Sequence, residues 1–297
     1  MLGTIGLFLR ATDNDYQQRL KEVGLREAKR HGFDIVVESA QNDAALQVTQ
    51  IRSAIRNAST TKLAALLVSG VSDEIFPPLV REAAQVGLEW ALLHDGTYID
   101  EIRQQNPGRA IFAVTPDQRE IGRIHGRQVR TLIGKAGKVL CVTGPLTAVS
   151  AQRRLEGLKE VLADGFDLVE LNADWTSEGA RLVVDRWVSN LSADATLPEM
   201  FVAANDEMAL GVWQALRDFA SRRDLPLATA YITGCDGSQT FGQRLVREGR
   251  LKATVIMPPA SGAAIEWIAR ARTGSEMPPV RVIQPVTSFP DLSRLKP

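Results

Sequence analysis

At 297 residues the chain is long for one ordinary domain and comfortable for two, each large enough to hold its own core. Lys and Arg number 35 against 35 Asp and Glu, a formal net charge of zero, and no run of like charges is long enough to form a polyanion-binding face, so no nucleic-acid partner is expected. The two cysteines, Cys141 and Cys235, lie far apart with no Cys-x-x-Cys and no nearby His, and read as buried free thiols.

The chain opens on an apolar run, "TIGLFL" (4 to 9), which predicts a strand. No cationic segment precedes it and its apolar core is too short for a signal peptide, so nothing in the visible amino terminus predicts export. Further runs follow at 33 to 38, 63 to 70, 89 to 95, 110 to 114, 138 to 144, 166 to 172, 200 to 205, 228 to 236, 251 to 257 and 280 to 286. Most show no period of two, as strands covered on both faces do, and none approaches the ~20 residues of a membrane span. Between them apolar residues recur at helical spacing: Ala44, Val48, Ile51 and Ile55; Ala180, Val184, Trp187 and Leu191; Ala209, Trp213, Leu216 and Ala220. The βαβα alternation predicts right-handed crossovers and parallel sheets. The units are too many for one open sheet, so the expected fold is α/β, two doubly wound parallel-sheet lobes joined by a three-segment hinge. Prolines in "AVTPD" (113 to 117), "IMPPA" (256 to 260) and "IQPVTS" (283 to 288) suit those crossings better than a central strand. They divide the chain into an amino-terminal lobe, 1 to 113 plus 258 to 284, and a carboxyl-terminal lobe, 114 to 257 plus 285 to 297.

Doubly wound folds host many enzymes, but the usual signatures are missing here. No Gly-x-Gly-x-x-Gly follows the first strand, and "GKAGKVLC" (134 to 141) resembles a phosphate loop only by composition. There is no Gly-x-Ser-x-Gly and no His-Glu-x-x-His, and the three histidines, His31, His94 and His125, fall in separate segments. Neither an enzyme, nor a cofactor, nor a metal is expected.

Ligands of open α/β sheets bind outside the carboxyl ends of the strands. The residues there are Arg10 to Tyr16, Asp95 and Gly96, the 144 to 154 loop, Asp174 and Trp175, Asn205 and Asp206, and Asp236 and Gly237. Each Asn or Asp taken singly suits a helix cap or a turn. Together at strand ends, amides and carboxylates that accept from hydroxyls, with Tyr16 and Trp175 as flat apolar faces, suit a sugar. Asp95 and Asp236 face few certain cations, so a neutral ligand is expected. At "AANDEMAL", Asp206 is read as the cap of the following helix and Asn205 as a ligand contact.

"ANDEMALGVWQAL" (204 to 216), "ITGCDGS" (232 to 238) and "LKATVIMPP" (251 to 259), with "YQQRLKEVGLREAKRHGFDIVVESAQND" (16 to 43), resemble, in order and spacing, the type I periplasmic binding proteins, in particular those like the ribose-binding protein. The effector half of lac-repressor-like regulators shares that fold. The resemblance implies a small neutral carbohydrate bound in a cleft between lobes that close on it, with Asn14, Tyr16, Asp95, Trp175, Asn205 and Asp236 as ligand-binding residues. Three positions depart from the family pattern. Gly96 stands where an arginine commonly follows Asp95, Gln152 stands at an arginine position with Arg153 and Arg154 just after, and Met257 replaces a glutamine. Gln152, Arg154 and Met257 therefore join the candidate ligand set, and the losses of polar heads favour a sugar with one less polar edge, such as a deoxy or alkylated one.

The resemblance implies a solute receptor of an ABC-type sugar importer, partnered by its permease. The alternative is a sugar-sensing domain with a sensor protein as partner and no transport role. A DNA-binding regulator would need a helix-turn-helix ahead of the first strand. The expected state is a monomer, periplasmic if a signal peptide has been removed, or else cytoplasmic.

Overall fold

Each of the eleven apolar runs carries a strand in the computed structural model, which describes residues 2–12, 14–162, 164–192, 196–223 and 230–297. Residues 228 and 229, the start of the expected ninth strand, lie outside the described residues. In chain order the elements begin β1 (Thr4–Leu9), α1 (Asp15–His31), β2 (Asp34–Ser39), α2 (Ala44–Arg56), α3 (Ala58–Thr61), β3 (Leu63–Val68), α4 (Phe76–Gln85), β4 (Glu89–Leu92), α5 (Ile99–Gln105) and β5 (Ile111–Pro116). There follow α6 (Gln118–Ile133), β6 (Gly137–Thr143), α7 (Val149–Leu162), β7 (Phe166–Asn172), α8 (Ser177–Ser189), β8 (Met200–Ala203), α9 (Asp206–Arg222), β9 (Tyr231–Asp236), α10 (Gly242–Arg247) and β10 (Ala253–Ile256). The chain ends with α11 (Ala260–Arg272), β11 (Arg281–Gln284) and β12 (Thr287–Phe289).

Two units result. One comprises Met1–Pro116 with Pro259–Gln284, the other Asp117–Pro258 with Pro285–Pro297, so the chain passes between them at 116/117, 258/259 and 284/285. Unit 1 holds a sheet of order β11-β5-β4-β3-β1-β2, parallel throughout. Unit 2 repeats the order as β12-β10-β9-β8-β6-β7, but β12 runs antiparallel to β10, so this sheet is mixed at one edge. Both are α/β sheets dominated by parallel strands.

Burial explains the missing period of two. In β1 the odd positions Ile5, Leu7 and Leu9 pack with Leu20 of α1 and Ile265 and Ile268 of α11, while Phe8 faces the opposite side with Ile51 of α2 and Leu79 of α4. In unit 2, Leu140 and Phe201 pack toward α8 and α9, and Val139, Cys141 and Val202 toward α6 and α7. Each buried Leu, Ile or Phe contributes roughly 1.5–3 kcal/mol. Only the four edge strands, β2, β11, β7 and β12, have exposed residues.

Helix ends follow the local chemistry. Asn14 caps α1, whose last turn holds Lys29, Arg30 and His31 before Gly32 takes a left-handed conformation at φ 75°. The helices α6 and α7 meet at two glycines: a Cβ on Gly122 would lie 1.9 Å from the Arg154 carbonyl oxygen, and one on Gly157 would lie 2.0 Å from that of Arg119. This close crossing sets where Arg154 stands. No helix among the described residues is long and apolar enough to cross a membrane.

Candidate functional site

In unit 1 the strand order reverses at β1, which has β2 on one side and β3 on the other, and the crevice beyond the carboxyl ends of β1 and β3 is where open sheets of this kind bind ligands. Asn14 and Tyr16 lie there. Asn14 Oδ1 accepts from the Gln17 N–H at 3.0 Å, and Tyr16 packs half-buried against the cluster that includes Leu7 and Leu9. Two buried amides fasten the neighbouring loop. Gln17 Nε2 donates to Ser69 Oγ at 3.0 Å and Gln47 Nε2 to the Ser69 carbonyl at 3.0 Å, while Gln47 Oε1 accepts from the Val71 N–H at 2.9 Å. Buried polar groups are costly unless bonded, so these contacts hold the end of β3 in one arrangement.

Asp95 follows β4 at the same edge of the sheet. Its Oδ1 accepts from Arg281 Nε at 2.9 Å, so the expectation that this carboxylate faces few cations is corrected: its cation comes from β11. The same guanidinium beside Asp100 holds that carboxyl below its ordinary range, chiefly through the hydrogen bond. One residue earlier, His94 Nε2 meets Asp73 Oδ1 at 2.6 Å.

In unit 2 the reversal lies at β6, flanked by β7 and β8. Arg154, from the first half of α7, is buried behind the ends of these strands. Its Nε donates to Gln118 Oε1 at 2.7 Å, its Nη1 to the Ala204 carbonyl and its Nη2 to Met257 Sδ at 3.4 Å, and its guanidinium carbon lies 5.7 Å from the centre of the Trp175 ring. The Trp175 ring in turn lies against Gly144, where an added Cβ would come within 2.3 Å of it. Trp175 has φ +73°, a conformation that a bulky residue adopts at a cost. Asn205 holds that backbone by donating from Nδ2 to the Trp175 carbonyl at 3.0 Å.

Asn205 also caps α9, its Oδ1 accepting from the Met208 N–H at 2.8 Å with the backbone extended. The assignment of the cap to Asp206 is therefore corrected. Asp206 is the first helical residue, only 1 % exposed. Its Oδ2 accepts from the Gly237 N–H at 2.7 Å and its Oδ1 from the Thr254 hydroxyl at 2.6 Å, which ties α9 to β10 and the loop after β9. Asp236, 5 % exposed, ends β9 with φ +105°, and its carbonyl accepts from the Met257 N–H at 3.1 Å. Arg154, Trp175, Asn205, Asp236 and Met257 thus gather at one edge of the second sheet. Gln152 does not join them: it is exposed, and its Nε2 donates to the Leu146 carbonyl at 2.5 Å.

The groups that sequence reading missed are the supports Gln17, Gln47, Gln118 and Arg281. They sit in or at the start of helices and on an edge strand, where a polar residue looks like a solvated face. Proton chemistry is suppressed nearby. Burial, with the Arg154 charge adding to it, lowers His125 to about 3, and burial raises both Cys141 and Cys235 to about 12. Among the described residues no group of three or more His, Cys, Asp and Glu could hold a metal. The arrangement offers fixed acceptors, a guanidinium and an indole face.

Residues 5–275 match the family described as the periplasmic binding protein domain. The chain belongs to this family. Among relatives of this periplasmic binding protein domain, the ribose import binding protein RbsB of Escherichia coli is 26 % identical over 258 residues, 86 % of this chain and 79 % of that protein. The xylitol-binding protein of Mycolicibacterium smegmatis is 26 % identical over 232 residues, 77 % of this chain and 60 % of that protein. A periplasmic solute binding protein of an ABC transporter from Actinobacillus succinogenes, solved with bound D-allose, shares the fold at TM-score 0.83 and 20 % identity, with 98 % of each chain covered.

Proposed function

We propose that this chain binds a small neutral sugar or polyol without transforming it, as the solute receptor of an ABC-type importer working in the periplasm. The carrying observation is the Trp175 plate, held in a left-handed backbone by Asn205 and backed by the Arg154 guanidinium, which also meets Met257, whose N–H in turn bonds the Asp236 carbonyl. An indole face suits the C–H surface of a sugar ring, and a buried carboxylate accepts from adjacent hydroxyls. The named relatives, which bind ribose and xylitol, support the same ligand class. On this reading Asn14, Tyr16 and Asp95 serve the ligand from unit 1, and Arg154, Trp175, Asn205, Asp236 and Met257 from unit 2.

The finer reading is a ligand with one less polar edge. Arg154 directs its donors to Gln118, Ala204 and Met257, and Met257 is itself apolar and buried, so this corner favours a C–H or methyl group over a hydroxyl. A thermal-shift panel of pentoses, hexoses, deoxy sugars and polyols tests both levels. A matching ligand at 100 times its Kd adds about 2.7 kcal/mol of stability. If no sugar or polyol raises the melting temperature the carbohydrate reading fails; if ribose binds as well as or better than its deoxy analogues, the less polar edge is rejected.

A further inference from the structure

Asp95 draws its countercharge from a residue 186 positions later in the chain. Arg281 sits on β11, the edge strand paired with β5, and directs its three guanidinium nitrogens to the loop after β4 and the helix that follows it. Nε donates to Asp95 Oδ1 at 2.9 Å, Nη2 to the Gly96 carbonyl at 3.1 Å and Nη1 to Asp100 Oδ1, in the first turn of α5, at 2.6 Å. The Asp95 side chain is 8 % exposed and that of Arg281 28 %, so the pair is screened from water on most sides.

A guanidinium is planar, always charged and rigid, so three acceptors bonded to one of them are fixed relative to each other. Here they are a carboxylate at the ligand-binding edge of the sheet, the peptide next to it and the start of the following helix. A carboxylate bonded through one oxygen to such a fork keeps a fixed plane, and that plane decides whether two neighbouring hydroxyls meet it at the correct angle. Residue 96 is a glycine with no charge to offer, so Asp95 takes its cation from another strand.

We propose that Arg281 is the positioning residue of Asp95, setting the orientation in which unit 1 presents this carboxylate to a vicinal diol of the ligand. The proposal rests on the sugar reading above. Arg281 touches no ligand on this account and acts through Asp95, so its effect on binding vanishes once the Asp95 charge is gone.

A double-mutant cycle tests it. Wild type, Arg281→Gln, Asp95→Asn and the double variant are titrated calorimetrically with D-ribose, xylitol and myo-inositol, and the unliganded melting temperature of each is recorded. With whichever probe binds wild type, Arg281→Gln is expected to raise Kd about tenfold or more. In the Asp95→Asn background the same change is expected to alter Kd by less than about twofold. Equal loss in both backgrounds, or Kd unchanged in Arg281→Gln, overturns the proposal while leaving the sugar reading intact. If Arg281→Gln shows no cooperative melting, Arg281→Lys, which keeps the charge and loses the fork, takes its place in the cycle with the same criteria. Failure of every probe to bind wild type removes the sugar reading, and the proposal falls with it.

Discussion

Asn205 uses both ends of one amide, Oδ1 to cap α9 and Nδ2 to hold the Trp175 carbonyl, so a single side chain fixes both a helix start and the backbone of the aromatic plate. Its neighbour Asp206 points elsewhere and satisfies a buried N–H and a buried hydroxyl. Asn205→Ala is therefore expected to lower the stability of the unliganded protein by about 1 kcal/mol or more, the usual cost of a lost cap. Asp206→Ala is expected to cost more, about 3 kcal/mol, because the Gly237 N–H and the Thr254 hydroxyl are left buried without this acceptor. Urea denaturation of both variants checks the order, and an Asn205→Ala protein as stable as wild type contradicts the cap. The importance of the pair was legible in the sequence, since two polar residues end an apolar run there. Which of the two caps was not, because cap and first helical residue differ by one position and both tolerate Asn or Asp.

At the scale of elements, the buried strands were legible because every central run is apolar on both faces, whereas β12 was not, being three residues long and defined only by its pairing with β10. The helices α6 and α7 show the same limit. Gly122 and Gly157 in the sequence look like weak points in helices, and packing supplies the reason for them, since each lies against a carbonyl of the other helix. Gly122→Ala is expected to destabilise the protein by about 3 kcal/mol, as overpacking a close contact does. It pushes on the Arg154 backbone, so the expected companion effect is weaker ligand binding through the displaced Trp175 plate, read as a raised Kd in the same titration. A Gly122→Ala protein with unchanged melting contradicts the close crossing.

For the molecule as a whole, one buried group links stability to pH. His125 titrates at about 3 in the folded state against an ordinary 6.5. Between those values the unfolded chain binds a proton that the folded chain refuses, so this contribution is present in full above pH 6.5 and is lost as pH falls toward 3. The slope is at most about 1.4 kcal/mol per pH unit. Melting temperature is expected to fall more steeply between these pH values for wild type than for His125→Gln, and parallel slopes contradict it. By itself the sequence determined the α/β alternation, the two-unit count and the strand ends at which polar residues collect, because periodicity, proline and strand-end chemistry are local properties of the chain. Only the tertiary structure decided which polar residues meet. Arg281 reaches Asp95 across the sheet, Arg154 sits beneath Trp175, and Gln152, two residues before Arg154, faces solvent. Such pairings depend on strand order and helix crossing, which bring together residues that no spacing along the chain relates.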